Sequence, residues 1–173
     1  MSGIRRKVNP LSRAQIREYA TALRALAHNQ SDYMDVIALL EFVLPSNISN
    51  FEYDFIEKGK MKGNLGITIP DENKIYIRED VYDGACEGDG HHRMTIAHEI
   101  GHLLLHKGLP SSFARIDEDI KIPAYRCSEW QANCFGGELL IPSISVTESD
   151  NAYSLVKRFG VSMSAAEIQL RKK

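Results

Sequence analysis

The sequence lacks any apolar run that is long enough to cross a bilayer. Its basic N-terminus, at residues 5–7, is not followed by the apolar segment of a secretion signal. The formal net charge is only −2, so the whole chain has no strong positive field of the kind that drives nucleic-acid binding. We therefore expect neither a membrane protein nor an exported one, and no nucleic-acid binding that depends on overall charge.

Cysteine is scarce, and its spacing does not suggest pairing. The sequence contains Cys86, Cys127 and Cys134, an odd number without a CxxC pair. This pattern argues against a disulfide framework and against a cysteine-rich metal site. We expect Cys127 and Cys134 to be buried thiols, and we expect a reducing, cytoplasmic location.

The rest of the composition is that of a globular protein. The 173 residues are 43% hydrophobic, which is enough for one domain with its own core. We expect a single domain over residues 1–173, with an N-terminal helical extension in residues 1–30. Ser12 and Gln15 form a capping-box pattern in front of apolar residues at helical spacing, and this pattern predicts the first helix.

The next part of the chain changes from helical to strand-like spacing. Residues 32–44 predict a second helix, which Pro45 should end. Apolar residues then alternate over residues 51–55, which predicts a strand. Residues 65–69 and 74–78 flank a turn-rich tetrapeptide and should pair as an antiparallel hairpin. The predicted fold class is α+β with a small antiparallel sheet.

The strongest chemical signal is the HExxH pattern at His98, Glu99 and His102. Residues four apart on a helix lie on one face, so His98 and His102 can bind one metal ion. Neutral imidazole suits Zn²⁺, and one further protein ligand would leave a tetrahedral position open for water. Glu99 is placed beside the pair to act as a general base toward such a water. The pattern predicts a catalytic zinc site, and its alternative is two surface histidines on an amphipathic helix.

The residues around this pattern favour a buried helix. Asp89 is placed to cap a helix that begins near His91, after an acidic, glycine-rich loop over residues 83–90. Gly101 lies in the middle of the helix, where glycine costs about 1 kcal/mol relative to alanine, and this predicts close approach of another backbone. His106 lies about 12 Å along the helix from His98, too far to share one zinc. We expect His106 to support a ligand or to pack.

A third ligand is expected from a second helix, predicted over residues 128–140. Glu129 is the first candidate, because a carboxylate on a helix packed opposite would complete the set. Residues 117–119 and Glu138 remain alternatives. Asn133, one turn after Glu129, is placed to hydrogen-bond a ligand or the backbone.

Residues 153–172 read as helix, glycine stop, polar cap and helix, which is a helix-turn-helix outline. A helix that reads DNA bases would carry Arg, Asn, Gln or Lys at the contacting positions, whereas this one carries Met163, Ala165, Ala166 and Ile168. We therefore expect packing or a partner surface, with DNA binding as the less favoured alternative.

Three blocks together resemble the ImmA/IrrE-type zinc metallo-endopeptidases. They are R-x-T-x-A-H-E-x-G-H-x-x-L-H at residues 93–106, E-x-x-A-N-x-F-x-x-x-L-L-x-P at residues 129–142, and the Phe-Gly-Val-Ser turn at residues 159–162 with Ala165 and Ala166. With the preceding hairpin, the resemblance covers roughly residues 35–170. The sequence departs from the family pattern at residues 136–137, where two glycines replace the usual small helix formers.

The resemblance implies a gluzincin-like zinc peptidase whose metal is held by His98, His102 and Glu129, with Glu99 as the catalytic carboxylate. Members of the family cut helix-turn-helix repressors of phages, mobile elements or stress regulons, so we expect a repressor as substrate. The weak candidates for stabilising an oxyanion are Tyr125, Arg126 and His106. The alternative function is a regulatory or antitoxin-like protein that binds DNA or a partner and keeps zinc as a structural element; a fourth protein ligand would favour it.

Overall fold

The computed structural model describes residues 5–108 and 122–171. Helices and a small sheet form an α+β fold, as predicted. The elements are α1 (Arg13–Leu26), α2 (Val36–Ala38), α3 (Leu44–Asn47), β1 (Glu52–Ile56), β2 (Gly66–Ile69), β3 (Lys74–Arg78), α4 (Glu79–Cys86), α5 (Gly90–Leu105), α6 (Ser128–Leu140), α7 (Ala152–Phe159) and α8 (Met163–Leu170). Within the described ranges, no helix is both long and apolar enough to span a bilayer.

The sheet is mixed, with strand order β1-β3-β2. The predicted antiparallel hairpin of β2 and β3 is confirmed. The prediction of a wholly antiparallel sheet was wrong, because β1 runs parallel to β3. Alternating side chains identify a strand and its faces but not its direction. β3 follows β1 and β2 in the chain but lies between them in the sheet. It is therefore parallel to β1 on one side and antiparallel to β2 on the other.

The helix predicted over residues 32–44 begins later and continues past Pro45. Asp35 caps α2, and a π-helical turn, Leu39–Val43, joins α2 to α3. The N–H of Leu44 bonds to the carbonyl of Leu39, five residues back. Pro45 then lies in the first turn of the next α-helical segment, where its missing N–H is tolerated. The proline therefore marks a change of helix type rather than an end.

The predicted loop over residues 83–90 is partly helical. α4 extends to Cys86, and Gly84 lies inside it. A Cβ at Gly84 would come within 1.9 Å of His92 Nδ1, so this glycine allows α4 to pack against α5 rather than making a turn. The predicted cap is confirmed, because the Asp89 carboxylate accepts the N–H groups of His91 and His92. Both histidines lie in the first turn of α5.

The backbones of α5 and α6 pack closely, as Gly101 predicted. A Cβ at Gly101 would lie 3.2 Å from both Cα and O of Ala132 and 3.0 Å from the ring of Phe135. A Cβ at Gly136 would lie 2.8 Å from Met94 Cε. α6 continues through both of its glycines, and Gly136 allows close contact between the two helices.

The helix-turn-helix outline at the C-terminus is confirmed. Gly160 ends α7 with a φ of 61°, and Ser162 caps α8. The turn packs on α5, because the fully buried Arg93 donates to the carbonyls of Phe159 and Gly160. A guanidinium that is buried in this way needs several acceptors, and the end of α7 supplies two of them.

The N-terminal helix is part of the same packed structure. α1 has the predicted capping box of Ser12 and Gln15, and it lies against α6. Its buried Ile16, Ala20 and Leu23 join the hydrophobic cluster that also contains residues of α5 and α6. The predicted extent of the domain, residues 1–173, stays a prediction.

Candidate metal centre

The side chains of the HExxH pattern leave α5 on two sides. His98 and His102 point at α6, whereas Glu99 points at β2. The apolar side chains of α5 are buried in the hydrophobic core. Their packing fixes the position of the helix that carries His98, Glu99 and His102.

His98, His102 and Glu129 form one cluster. The Nε2 atoms of the two histidines lie 3.0 Å apart. Glu129 comes from the first turn of α6, and its carboxylate oxygens lie 3.3 Å from His98 Nε2 and 3.2 Å from His102 Nε2. All three ligand atoms fall within 4.8 Å of one another. Two imidazole nitrogens and one carboxylate oxygen that converge in this way are compatible with a metal ion.

The cluster is buried at one end and partly open at the other. The side chain of His98 is 2% exposed, compared with 16% for His102 and 14% for Glu129. Across residues 5–108 and 122–171, no further His, Cys, Asp or Glu joins the cluster. Among the described residues, these three side chains would leave a bound metal room for another ligand.

The other proposed third ligands do not come to the cluster within the described ranges. Glu138 is bound elsewhere, because its Oε2 lies 3.3 Å from Arg17 Nε and accepts the hydroxyl of Ser143 at 2.8 Å. Residues 117–119 lie outside the described residues.

The charge state of Glu129 suits a ligand. Burial works against ionisation of its carboxyl group, but the hydrogen bonds and charges of His102 and His98 outweigh burial and hold the pKa of Glu129 well below its usual range. The group is thus an anion, which favours a cation between it and the two imidazoles.

Asn133 and His106 lie behind the two histidines. Asn133 Oδ1 lies 3.0 Å from His98 Nδ1, and His106 Nδ1 lies 2.9 Å from His102 Nδ1. Asn133 is exposed, whereas His106 is 5% exposed. Burial, followed by the neighbouring His102, lowers the pKa of His106 to about 4, so its ring is neutral near neutral pH.

Sequence reasoning missed Gln131. This fully buried residue lies 3.0 Å through its Oε1 from His106 Nε2. Its position in the sequence could have indicated that it is buried. It follows Cys127 by four residues and precedes Cys134 by three, which is the spacing of one helix face. A polar amide in such a stripe needs hydrogen-bond partners, and here one of them is His106, beside the cluster.

Sequence reasoning also missed the surroundings of Glu99 on β2. The hydroxyl of Thr68 donates to Glu99 Oε2 at 2.6 Å and lies 3.1 Å from the Glu99 carbonyl oxygen. A Cβ at Gly66 would lie only 2.5 Å from Glu99 Cγ, so glycine leaves the space that the carboxylate chain fills. Gly66 and Thr68 are two apart on a strand, and they therefore face the same side.

The geometry gives little support to the residues predicted as oxyanion donors. Both ring nitrogens of His106 already have partners in His102 and Gln131. Tyr125 is 49% exposed, and its carbonyl accepts from Gln131. The roles of Tyr125 and Arg126 stay predictions.

Comparison with known protein families gives a match for this chain. A family profile described as the IrrE N-terminal-like domain of peptidase family M78 matches residues 72–171, more than half of the 173-residue chain. The matched range begins just before β3 and includes all three residues of the cluster, whereas the resemblance noted in the sequence began near residue 35. No curated protein and no solved structure matches the chain.

Proposed function

The chain belongs to the IrrE N-terminal-like peptidase family, and on that basis we propose that it is a zinc-dependent endopeptidase of gluzincin type. The observation that carries the proposal is the convergence of His98, His102 and Glu129 from two helices. Their donor set is that of catalytic zinc peptidase sites, so the residues fit zinc. When bound, zinc supplies Lewis acidity, which polarises a peptide carbonyl and makes water more acidic.

Glu99 is the proposed proton carrier of the reaction. It follows His98 on α5, and its carboxylate accepts a hydrogen bond from the hydroxyl of Thr68, which orients it. In the ionised form it accepts a proton from the attacking water, and it then returns that proton to the amine that leaves. At 7% exposure Glu99 is shielded from bulk water, which favours transfer to a bound substrate.

The proposed substrate lies along β2. This strand is at the edge of the described sheet, and it carries the two residues that contact Glu99. An edge strand offers unpaired main-chain groups to an extended peptide. Ile67 points to the face of β2 opposite Glu99 and is 38% exposed, so a peptide paired with β2 would contact it on that face. An extended segment of a folded protein fits this edge better than an intact helix.

The proposed partner is a helix-turn-helix repressor, as the resemblance to the ImmA/IrrE family implies. The C-terminal helix pair of this chain is better suited to packing than to DNA. Its turn is bound by Arg93, and Arg158 is engaged by Asp150 at 2.8 Å and Asp32 at 3.0 Å. An arginine that is held by two carboxylates is a poor phosphate contact.

The test is cleavage of a helix-turn-helix repressor encoded beside the gene. Zinc-loaded protein should cut it, and both a chelator and E99Q should prevent cutting. Loss of the general base should slow the reaction by about 10²- to 10⁴-fold, while E99Q still binds the repressor. E148Q makes the same chemical change at an exposed position between α6 and α7 and should cut like the parent.

Two results would contradict the proposal. Equal cleavage by the parent and E99Q would remove Glu99 from the mechanism. Binding of the repressor or its DNA without cleavage, by a protein fully loaded with zinc, would favour the regulatory alternative.

A further inference from the structure

We infer that Gln131 is a positioning residue that fixes which ring nitrogens of His106 and His102 carry protons, and so presents His102 Nε2 to the metal. The inference rests on the proposed function only in taking His102 as a ligand. It is carried by a chain of hydrogen bonds that runs from the N-terminal segment to the cluster, and each bond in this chain sets the direction of the next.

The orientation of the Gln131 amide is the first step. Its Nε2 lies 2.8 Å from the carbonyl of Asn9 and 2.9 Å from the carbonyl of Tyr125. A carbonyl oxygen only accepts, so the NH₂ group must face both of them. Oε1 of Gln131 is therefore the atom that faces His106, and it can only accept as well.

The protonation of the two histidines follows. A neutral imidazole carries one N–H. Because Gln131 Oε1 accepts, His106 must carry its proton on Nε2, 3.0 Å away. The Nδ1 of His106 is then an acceptor, and His102 must donate to it from its own Nδ1 across 2.9 Å. A ligand histidine that donates through one ring nitrogen leaves the other available to a metal.

The two carbonyls that orient Gln131 are themselves held in place. Residues 6–11 run beside the start of α6: the N–H of Val8 bonds to the Arg126 carbonyl at 2.8 Å, and that of Leu11 to the Tyr125 carbonyl at 3.0 Å. This segment precedes residues 72–171, the range that the family profile matches. The support of His102 thus includes a part of this chain that lies outside the matched range.

In the part of the chain that the structure describes, no comparable series of hydrogen bonds leads to His98. Its Nδ1 meets Asn133, an exposed residue for which water can compete as a partner. We therefore expect Gln131 to matter for His102 much more than any single contact does for His98.

The experiment uses the full chain with and without zinc. Nitrogen-15 NMR of the histidine rings in the metal-free protein should show His106 protonated on Nε2 alone. In Q131M, which keeps the length of the side chain and removes its polar atoms, His106 should show both neutral forms. The zinc Kd of Q131M should rise about 10- to 100-fold, the usual effect of removing a partner behind a metal ligand.

Two variants separate positioning from stability. Q169M removes another buried amide, which bonds to the Ile141 carbonyl away from the cluster, and it should leave the His106 proton and the zinc Kd unchanged. Q131E loses both donated bonds but keeps an acceptor for His106, so it should be less stable and yet keep the Nε2 proton.

Three outcomes overturn the inference: a parent His106 protonated on Nδ1, a Q131M with the parent's proton pattern and zinc Kd, or a Q169M that weakens zinc as much as Q131M. If Q131M does not fold, the parent and Q131E spectra decide. A parent that binds no zinc would refute the proposed function, while the metal-free spectra would still test the hydrogen-bond chain.

Discussion

The two sides of α5 are built differently. On the α6 side, His98 and His102 meet Glu129 where the helix backbones nearly touch at Gly101, and each histidine has a partner behind it. On the β2 side, Glu99 meets one hydroxyl of an edge strand. Metal ligands need fixed positions, whereas a proton carrier must face the substrate. Changes on the α6 side should therefore alter metal binding, and changes on the β2 side should alter turnover.

The largest effect on the β2 side is expected from G66A. The added Cβ would meet Glu99 Cγ at 2.5 Å and Cδ at 2.8 Å, so the carboxylate must move. Displacement of a catalytic group by about 1 Å costs about 10²-fold in rate. We expect kcat to fall by that factor while zinc content stays at the parent level, measured by repressor cleavage and metal analysis.

The control for G66A is G59A. Nothing lies within 4 Å of a Cβ built at Gly59, so this change should leave both quantities unaltered. Loss of zinc from G66A would show that the two sides of α5 are not independent.

A smaller effect is expected from T68V, which keeps the shape of the side chain and removes its hydroxyl. The lost bond to Glu99 is charge-assisted, and such bonds contribute about 1.5 kcal/mol or more, or roughly tenfold in kcat. T68S keeps the hydroxyl and should restore most of the rate. Steady-state cleavage should show the change in kcat rather than KM; equal rates for T68V and T68S would contradict a role for this bond.

The smallest effect is expected on the α6 side, from G101A. Its Cβ would press on the backbone of Ala132 at 3.2 Å, which cannot move far. Overpacking costs about 1 to 3 kcal/mol, and the better helix propensity of alanine returns about 1 kcal/mol. We expect a net loss of about 1 kcal/mol in the free energy of unfolding, measured by chemical denaturation.

G136A is the matched comparison for G101A. It presses on the flexible end of Met94 rather than on backbone, so it should change stability less. A G136A that is less stable than G101A would contradict the packing that brings the two helices together.

The sequence predicted features that depend on neighbours along the chain. The bounds of α6, the caps at Ser12 and Asp89, and the reason for Gly101 all follow from spacing or from the cost of one residue. The same local reasoning failed at Pro45, because a π-helical turn makes room for it. Within residues 5–108 and 122–171, the alternative third ligand Glu138 does not reach the cluster.

The remaining features depend on contacts between distant parts of the chain. The direction of β1 is set by where β3 enters the sheet, which alternation cannot show. Thr68 meets Glu99 across 31 positions, and Gln131 meets the Asn9 carbonyl across 122. No spacing in the sequence predicts which distant residues will meet. The only indications are a polar residue in an apolar stripe of a helix, or a glycine inside a strand.

The most direct measurement of the central claim is the zinc content of E129Q and E99Q, prepared side by side with the parent. Both variants make the same chemical change, one on each side of α5. The account predicts that E129Q loses zinc, because Glu129 faces both histidines at 3.2 to 3.3 Å, and that E99Q keeps one zinc per chain, because Glu99 faces Thr68 instead. An E129Q that holds zinc as tightly as the parent, or an E99Q that loses it, would contradict the assignment of ligands to the α6 side and of proton transfer to the β2 side.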